Sequence, residues 1–135
     1  MLKLLKLSFL PKSTDHGLLI LRVALGFSML LLHGRGKILN FSATAKEFPA
    51  LFGLPSNVNV GMAIFAEVLC AALLIAGLFT RFAALMLCAT MGTAFFFVHK
   101  SALVGANSGE LAMVYLIGFA TLFFTGAGKI SVDRE

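Results

Sequence analysis

The chain has 135 residues, 59% of them hydrophobic and only 13% charged, and its mean hydropathy is +0.97. Soluble domains run about 45–50% apolar and about 25% charged, so the composition excludes an ordinary soluble domain and points to an integral membrane protein. The formal charge of +5 is dispersed over the chain ends and between apolar runs, which argues against a nucleic-acid patch; Cys70 and Cys88 both fall in apolar mid-span sequence, without a CxxC pair or a secreted-type disulfide framework.

In chain order the first stretch is MLKLLKLSFLPKSTDHG. Lysines ahead of an apolar run look like a signal peptide, but no small-residue cleavage site follows, and the run ends at His33-Gly34-Arg35-Gly36-Lys37; it reads as an uncleaved first span. Leu2 to Leu10, with Lys3 and Lys6 on one side, are expected to form a short helix on the membrane surface. Apolar runs of 17 to 20 residues lie at about Gly17–His33, Val60–Phe79, Phe82–His99 and Gly109–Thr125. They predict an all-α, integral membrane four-helix up-down bundle, a single domain over 1–135, with both termini on one side. That side carries Lys3, Lys6, Lys12, Arg81, Lys129 and Arg134 against Arg35, Lys37, Lys46 and Lys100 opposite, a modest bias that puts the termini in the cytoplasm. Thr80-Arg81 is nearly all that joins the second and third spans, which makes them an antiparallel hairpin. The first loop, Phe41 to Pro55, mixes Phe41, Phe48, Leu51, Phe52 and Leu54 with polar residues and reads as a short amphipathic interfacial element, either an anchor or a lid.

The residue that most needs explaining is Glu67. An ionised acid near a bilayer centre costs about 2.5–3.5 kcal/mol on insertion scales, so it calls for a partner or a cavity. Arg22, Gly26, Met29 and His33 recur at helical spacing and define an inward face of the first span. At the helical rise, Glu67 lies about 10 Å and Arg22 about 16 Å below the outer edge, a difference a long arginine can span. An Arg22–Glu67 pair is therefore expected, the alternative being that Arg22 snorkels to the headgroups. Ala63 and Ala71 flank Glu67 one turn away and let another helix approach. Cys88, Gly92, Phe95 and His99 share a face of the third span; Glu110, Ile117, Gly118 and Thr121 share one of the fourth. His33, Glu67, His99 and Glu110 thus collect in the outer half. Three readings fit: helix ends plus a register-fixing pair, a site for a polar-headed lipophilic molecule such as a quinone, or a metal or haem site, the last without recognised ligand spacing. Gly77, Gly92 and Gly118 serve contacts within the bundle or between protomers, and periodicity does not separate these.

The first span LLILRVALGFSMLLLHGRGKI, the carboxylate in AIFAEVLCAALLIAGLFTRFAAL, the histidine ending FFFVH, the GELAMVYLIG opening of the fourth span and the closing GAGKISVD together resemble the DoxX family of small bacterial and archaeal membrane proteins. The resemblance spans nearly the whole chain. It implies a four-helix transmembrane bundle in the cytoplasmic (inner) membrane and familiar places for Arg22, His33, Gly34, Lys37, Glu67, Arg81, His99, Glu110, Gly128, Ser131 and Asp133. Members have been associated with terminal quinol oxidation, with quinone and thiol stress and with membrane oxidoreductase complexes. Independently of the family, two glycines in GAGKISVD end the fourth helix, Lys129 complements its carboxyl end, and Asp133 is expected to pair with a basic residue such as Arg81.

The expectation is a quinone-linked redox subunit or accessory protein. In it Glu67 and His99 exchange protons with the ligand, Arg22 holds Glu67 ionised, and His33, Lys37 and Glu110 complete the ligand-binding set. No metal site and no cofactor motif is read in the chain; a quinone is the candidate ligand, and a membrane oxidoreductase partner supplies any redox cofactor. The bilayer is the certain partner, and a homo-oligomer is compatible with the sequence. The rival readings are a structural membrane subunit and a small transporter or lipid-handling protein.

Overall fold

The computed structural model describes residues 1–134, and all regular structure there is helical. In chain order the helices are α1 (Leu2–Leu5), α2 (Thr14–Leu39), α3 (Phe41–Glu47), α4 (Ser56–Ala76), α5 (Thr80–Val98) and α6 (Glu110–Thr125). The helices α2, α4 and α5 are long and apolar enough to cross a membrane, and α6 is a shorter apolar helix of 16 residues, about 24 Å long. They form an up-down bundle in which α2 packs on α4, α4 on α5, α5 on α6 and α6 back on α2. Leu32 is 74% and Phe124 80% exposed, and many such residues ring the bundle; in water this surface would drive association, whereas in a bilayer it is the lipid face.

Both termini meet at one end of the bundle, the terminal end; α3 and the loop before α6 lie at the other, the loop end. The four expected spans are present, with one boundary that matters: α2 does not stop at His33 but runs on through Gly34-Arg35-Gly36-Lys37 to Leu39. Two glycines weaken a helix by about 1 kcal/mol each relative to alanine, but an unwound turn at the membrane boundary leaves several backbone groups unpaired, which costs more.

The packed core lies toward the terminal end. Cys70 and Leu74 of α4, Ala83, Ala84 and Leu87 of α5, and Phe119 and Leu122 of α6 are all fully buried there. Small residues bring the backbones close: a Cβ on Gly26 would come within 3.0 Å of the Ala71 carbonyl, and one on Gly118 would strike Leu25. Gly77 and Gly118 thus serve contacts within the bundle, and Gly92 faces open space. The α4–α5 hairpin turns at Gly77, whose φ of +72° permits the double closure of Gly77 N–H on Leu74 O at 3.1 Å and Leu78 N–H on Leu73 O at 3.0 Å.

Toward the loop end the bundle hollows. There α2, α4 and α5 each contain a π-helical turn, at Leu30–Gly34, Phe65–Cys70 and Ala94–Val98. Such turns insert a residue, re-aim the side chains beyond it and concentrate at functional sites.

Candidate functional site

Glu67 sits within the π turn of α4 and is 4% exposed. Its partner is Lys37, whose Nζ lies 2.7 Å from Oε2. The approach falls outside aligned hydrogen-bond geometry, so the contact is an ion pair first and a directed bond second. Because α2 continues past His33, Lys37 stands one turn beyond it, at i+4, on the same face. Gly34 makes the approach feasible: a Cβ there would lie 2.8 Å from the Glu67 carbonyl oxygen, so only glycine lets α2 and α4 meet at this level.

The expected Arg22–Glu67 pair does not form, and Arg22 does not snorkel either. Arg22 is 1% exposed at the terminal end, where Nη1 donates to Ile75 O at 2.6 Å and to Leu74 O at 3.3 Å, and Nη2 donates to Ile130 O. The height difference estimated from helical rise was too small: Gly34 is level with Glu67, and Arg22 lies twelve residues, about 18 Å, below Gly34 on α2, where the carbonyls freed at the end of α4 and in the C-terminal segment take the guanidinium fork. Asp133 likewise does not pair with Arg81. Its Oδ1 and Oδ2 accept from Phe79 N–H and Thr80 N–H, each at 3.0 Å, and so cap the start of α5. Arg81 instead donates Nε to Phe123 O at 2.8 Å and lies over the Phe123 ring. Partial burial pushes the Asp133 carboxyl up, but the N–H groups of Thr80 and Phe79 and the charge of Arg22 outweigh it and hold it below the usual carboxylate range.

A cavity of about 440 Å³ fills the loop-end half. His33, Lys37, Glu67 and His99 line it together with apolar and hydroxyl-bearing residues of α4, α5 and α6. His99 Nδ1 lies 3.2 Å from Asn107 O; a carbonyl only accepts, so Nδ1 carries a proton, an arrangement in which the neutral form of the ring has Nε2 as its acceptor. The His33 ring meets Tyr115 edge-on with centroids 5.5 Å apart, and its nitrogens have no hydrogen-bond partner among the described residues. Most other polar groups on the walls are committed: Thr90 and Thr93 donate to carbonyls of their own helix, and Tyr115 shares a hydrogen bond with Ser28. The uncommitted set is therefore one ion pair and two imidazoles on an apolar ground, suited to holding and exchanging protons with a small polar head.

The first loop roofs this cavity. Phe48, Pro49, Leu51 and Phe52 line it, so this element lies where a lid would. Asn59, 7% exposed at the start of α4, holds the loop: its Nδ2 is 3.3 Å from each of Pro49 O, Leu51 O and Leu54 O, two protons shared among three acceptors. Phe52 also packs edge-on against Phe97 of α5 at 5.3 Å.

Of the six candidate site residues, the structure brings His33, Lys37, Glu67 and His99 to one cavity and leaves out two. Arg22 belongs to the terminal end, and Glu110 is exposed at the start of α6 outside the cavity wall. The inward face of α6 is Ala112, Tyr115, Phe119 and Leu122, a rotation away from the Glu110, Ile117, Gly118 and Thr121 face expected from spacing. Tyr115 and Asn59 were missed. Tyr115 is the sole tyrosine of a chain that uses 14 phenylalanines, a signal that its hydroxyl has a use. Among the described residues no group of three or more His, Cys, Asp or Glu is arranged to hold a metal ion.

The DoxX family model matches residues 17–100, which include the π turns, the roofing loop and His33, Lys37, Glu67 and His99. A protein of Haemophilus influenzae described only as uncharacterized is 34% identical over 131 residues, covering 93% of this chain and 95% of its own length. A second uncharacterized protein of that organism is 33% identical over 96 residues, 69% of this chain and 64% of its own length. No solved structure matches. With the match running over more than half of the chain, and a relative aligned almost end to end, the protein belongs to the DoxX family.

Proposed function

We propose that this membrane protein is a subunit or accessory protein of a quinone-linked redox system that binds a quinone or quinol head in its loop-end cavity, with both termini in the cytoplasm of a bacterial or archaeal cell. The observation that carries the reading is the buried Lys37–Glu67 pair opening, with His33 and His99, onto an apolar cavity of about 440 Å³, within the usual range for small-molecule sites. An ion pair in such surroundings holds a carboxylate ready to accept a proton and an ammonium ready to donate to a carbonyl oxygen. In this reading Glu67 takes the proton from one quinol hydroxyl, His99 Nε2 takes the other, Lys37 faces the oxygen left behind, and the two electrons pass to a redox centre of a partner subunit.

A transporter would need a path through the bundle. The terminal half is packed core, closed below by the segment that Arg22, Asp15 and the α4–α5 turn hold in place, which supports a pocket with a closed floor. The deep burial of Glu67 favours a second reading, in which the pair only bolts α2 to α4. The two part on experiment. Protein purified with its native lipids is expected to carry a quinone identifiable by mass spectrometry, and E67Q and H99A are expected to lose it. If the wild type binds no quinone at saturating concentration, or if both variants lose stability but keep quinone affinity, the bolt is all there is.

A further inference from the structure

The cavity wall is unevenly built. Phe65–Cys70 and Ala71–Ala76 of α4 pack on α5, but the loop-end half of the helix, Ser56–Ile64, packs on α3 and on Arg35–Leu39 of α2, with little contact to α5. From Glu67 toward the loops, α4 and α5 therefore separate. The α5–α6 seam stays in contact along its length, and α6 is joined to α2 by the Leu25–Gly118 contact, the Ser28–Tyr115 hydrogen bond and, at the level of the cavity, the His33–Tyr115 ring contact. Met62 of α4 and Ala89 and Thr93 of α5, contributed by the two separating helices, all line the cavity. Met62 is 56% exposed and Ala89 is exposed, so the cavity surface continues into the lipid face of the bundle. Ala89 lies nine residues before Val98, about 14 Å down from the loop end of α5 and so within the hydrocarbon layer. The route from the loop side is roofed by Phe48–Leu54, which Asn59 and the Phe52–Phe97 contact hold in place.

We infer that the cavity is filled sideways from the bilayer, through a gap between α4 and α5, by an amphiphile whose polar head reaches Lys37 and Glu67 and whose apolar tail stays between Met62 and Ala89. The inference rests on the ligand-pocket reading above and narrows it: the substrate class is membrane-dissolved molecules with a tail, and their water-soluble headgroup analogues bind only weakly. The chemistry of the gap agrees. Its jambs are a small residue that leaves room and an unbranched, adaptable methionine, and Thr93 presents no free donor because its hydroxyl is bonded to Ala89 O at 2.8 Å. A tail lying there gives up no hydrogen bonds, while the head exchanges water or lipid contact for the one buried charge pair among the described residues.

The test uses the full chain in lipid nanodiscs with three probes: a prenylated quinone, the same quinone head without its tail, and nitroxide-labelled stearic acid. Wild type is expected to bind the prenylated quinone at least tenfold tighter than the tailless one. A89W, which narrows the gap from its exposed side, is expected to weaken the prenylated quinone at least tenfold and leave the tailless one within twofold. It is also expected to remove a motionally restricted component from the nitroxide spectrum. M62W, on the opposite jamb, repeats the test should A89W fold poorly, and T121W, on the exposed face of α6, is expected to change none of these readings. A prenylated quinone bound equally well by wild type and both gap variants overturns the inference, as does equal loss of both quinones in variants of unchanged melting temperature. If neither quinone binds wild type, the quinone reading falls and the stearate decides the gap alone: a restricted component lost in A89W supports it, and one that persists overturns it.

Discussion

The two halves of the bundle each bury one charge deeply, and they treat it in opposite ways. At the terminal end Arg22 is wrapped: both Nη groups donate to carbonyls of Leu74, Ile75 and Ile130, only Nε is left without a partner, packed core lies above it and the capped C-terminal segment closes below. At the loop end Glu67 has a single counter-charge, a partly exposed lysine, and opens onto empty volume. Both residues sit where an isolated charge is expensive, so burial alone does not separate structural from functional charge. What separates them is whether the neighbours leave bonding capacity unused. The backbone differs too: the three π turns lie toward the loop end, the one in α4 reaching the edge of the packed core at Cys70.

The comparison is broken most directly at Arg22. R22A strands three carbonyls and leaves a void, and it is expected to destabilise by about 3–5 kcal/mol, read as a lower melting temperature in detergent. R22K restores only part of this, because an ammonium cannot span the same carbonyls as the planar fork. Quinone affinity of whatever R22K protein remains folded is expected to match wild type, and its loss there would merge the two ends into one site. E67Q comes next. It leaves Lys37 without its counter-charge at a cost of about 1–3 kcal/mol and is expected to lower quinone affinity at least tenfold. The double variant K37M/E67Q sharpens the contrast: stability is expected to return toward wild type while affinity does not, a result that a plain bolt would not give.

Smaller effects probe the closures of each end. D133A is expected to cost about 1 kcal/mol, the usual value of a helix cap. Since the folded Asp133 carboxyl is held below its ordinary range, its contribution is complete above about pH 4 and is lost as pH falls through the lowered folded value; a stability difference between wild type and the Asp133 variant that is constant from pH 5 to 8 and shrinks only below about pH 4 is the expected reading. N59A is expected to remove about 1 kcal/mol and to raise hydrogen exchange through residues 49–54, leaving the terminal end protected. E110Q, on an exposed residue outside the cavity, is expected to stay within about 0.5 kcal/mol of wild type with unchanged affinity.

Composition and the lengths of the apolar runs were sufficient for the class of protein, the number of spans and their up-down order, because a bilayer imposes length and hydrophobicity one helix at a time. The inward faces of the first two spans were also legible; of the face expected for the third, Phe95 is buried but Gly92 meets open space, and the packed face is Ala83, Ala84, Leu87 and Met91. Arg22, Gly26 and Met29 are buried in register, and Ala63 and Ala71 flank Glu67 as spacing required. The fourth was misread because a mean-apolar helix carries almost no contrast between its faces, so Glu110 drew the face toward itself when Phe119 and Tyr115 held it. The partner of Glu67 was out of reach for a different cause. The pairing expected from spacing was with Arg22, and Lys37, beyond the expected end of the first span, was not weighed as the partner; the choice turned on the continuation of α2 past two glycines, the close approach at Gly34 and the carbonyls around Arg22. Those are contacts between segments distant in the chain, as are the Asn59 clasp on the lid and the separation of α4 from α5. Hydrophobic pattern is a property of each segment and can be read from it; the pairing of charges and the shape of a cavity exist only once the segments are packed against one another.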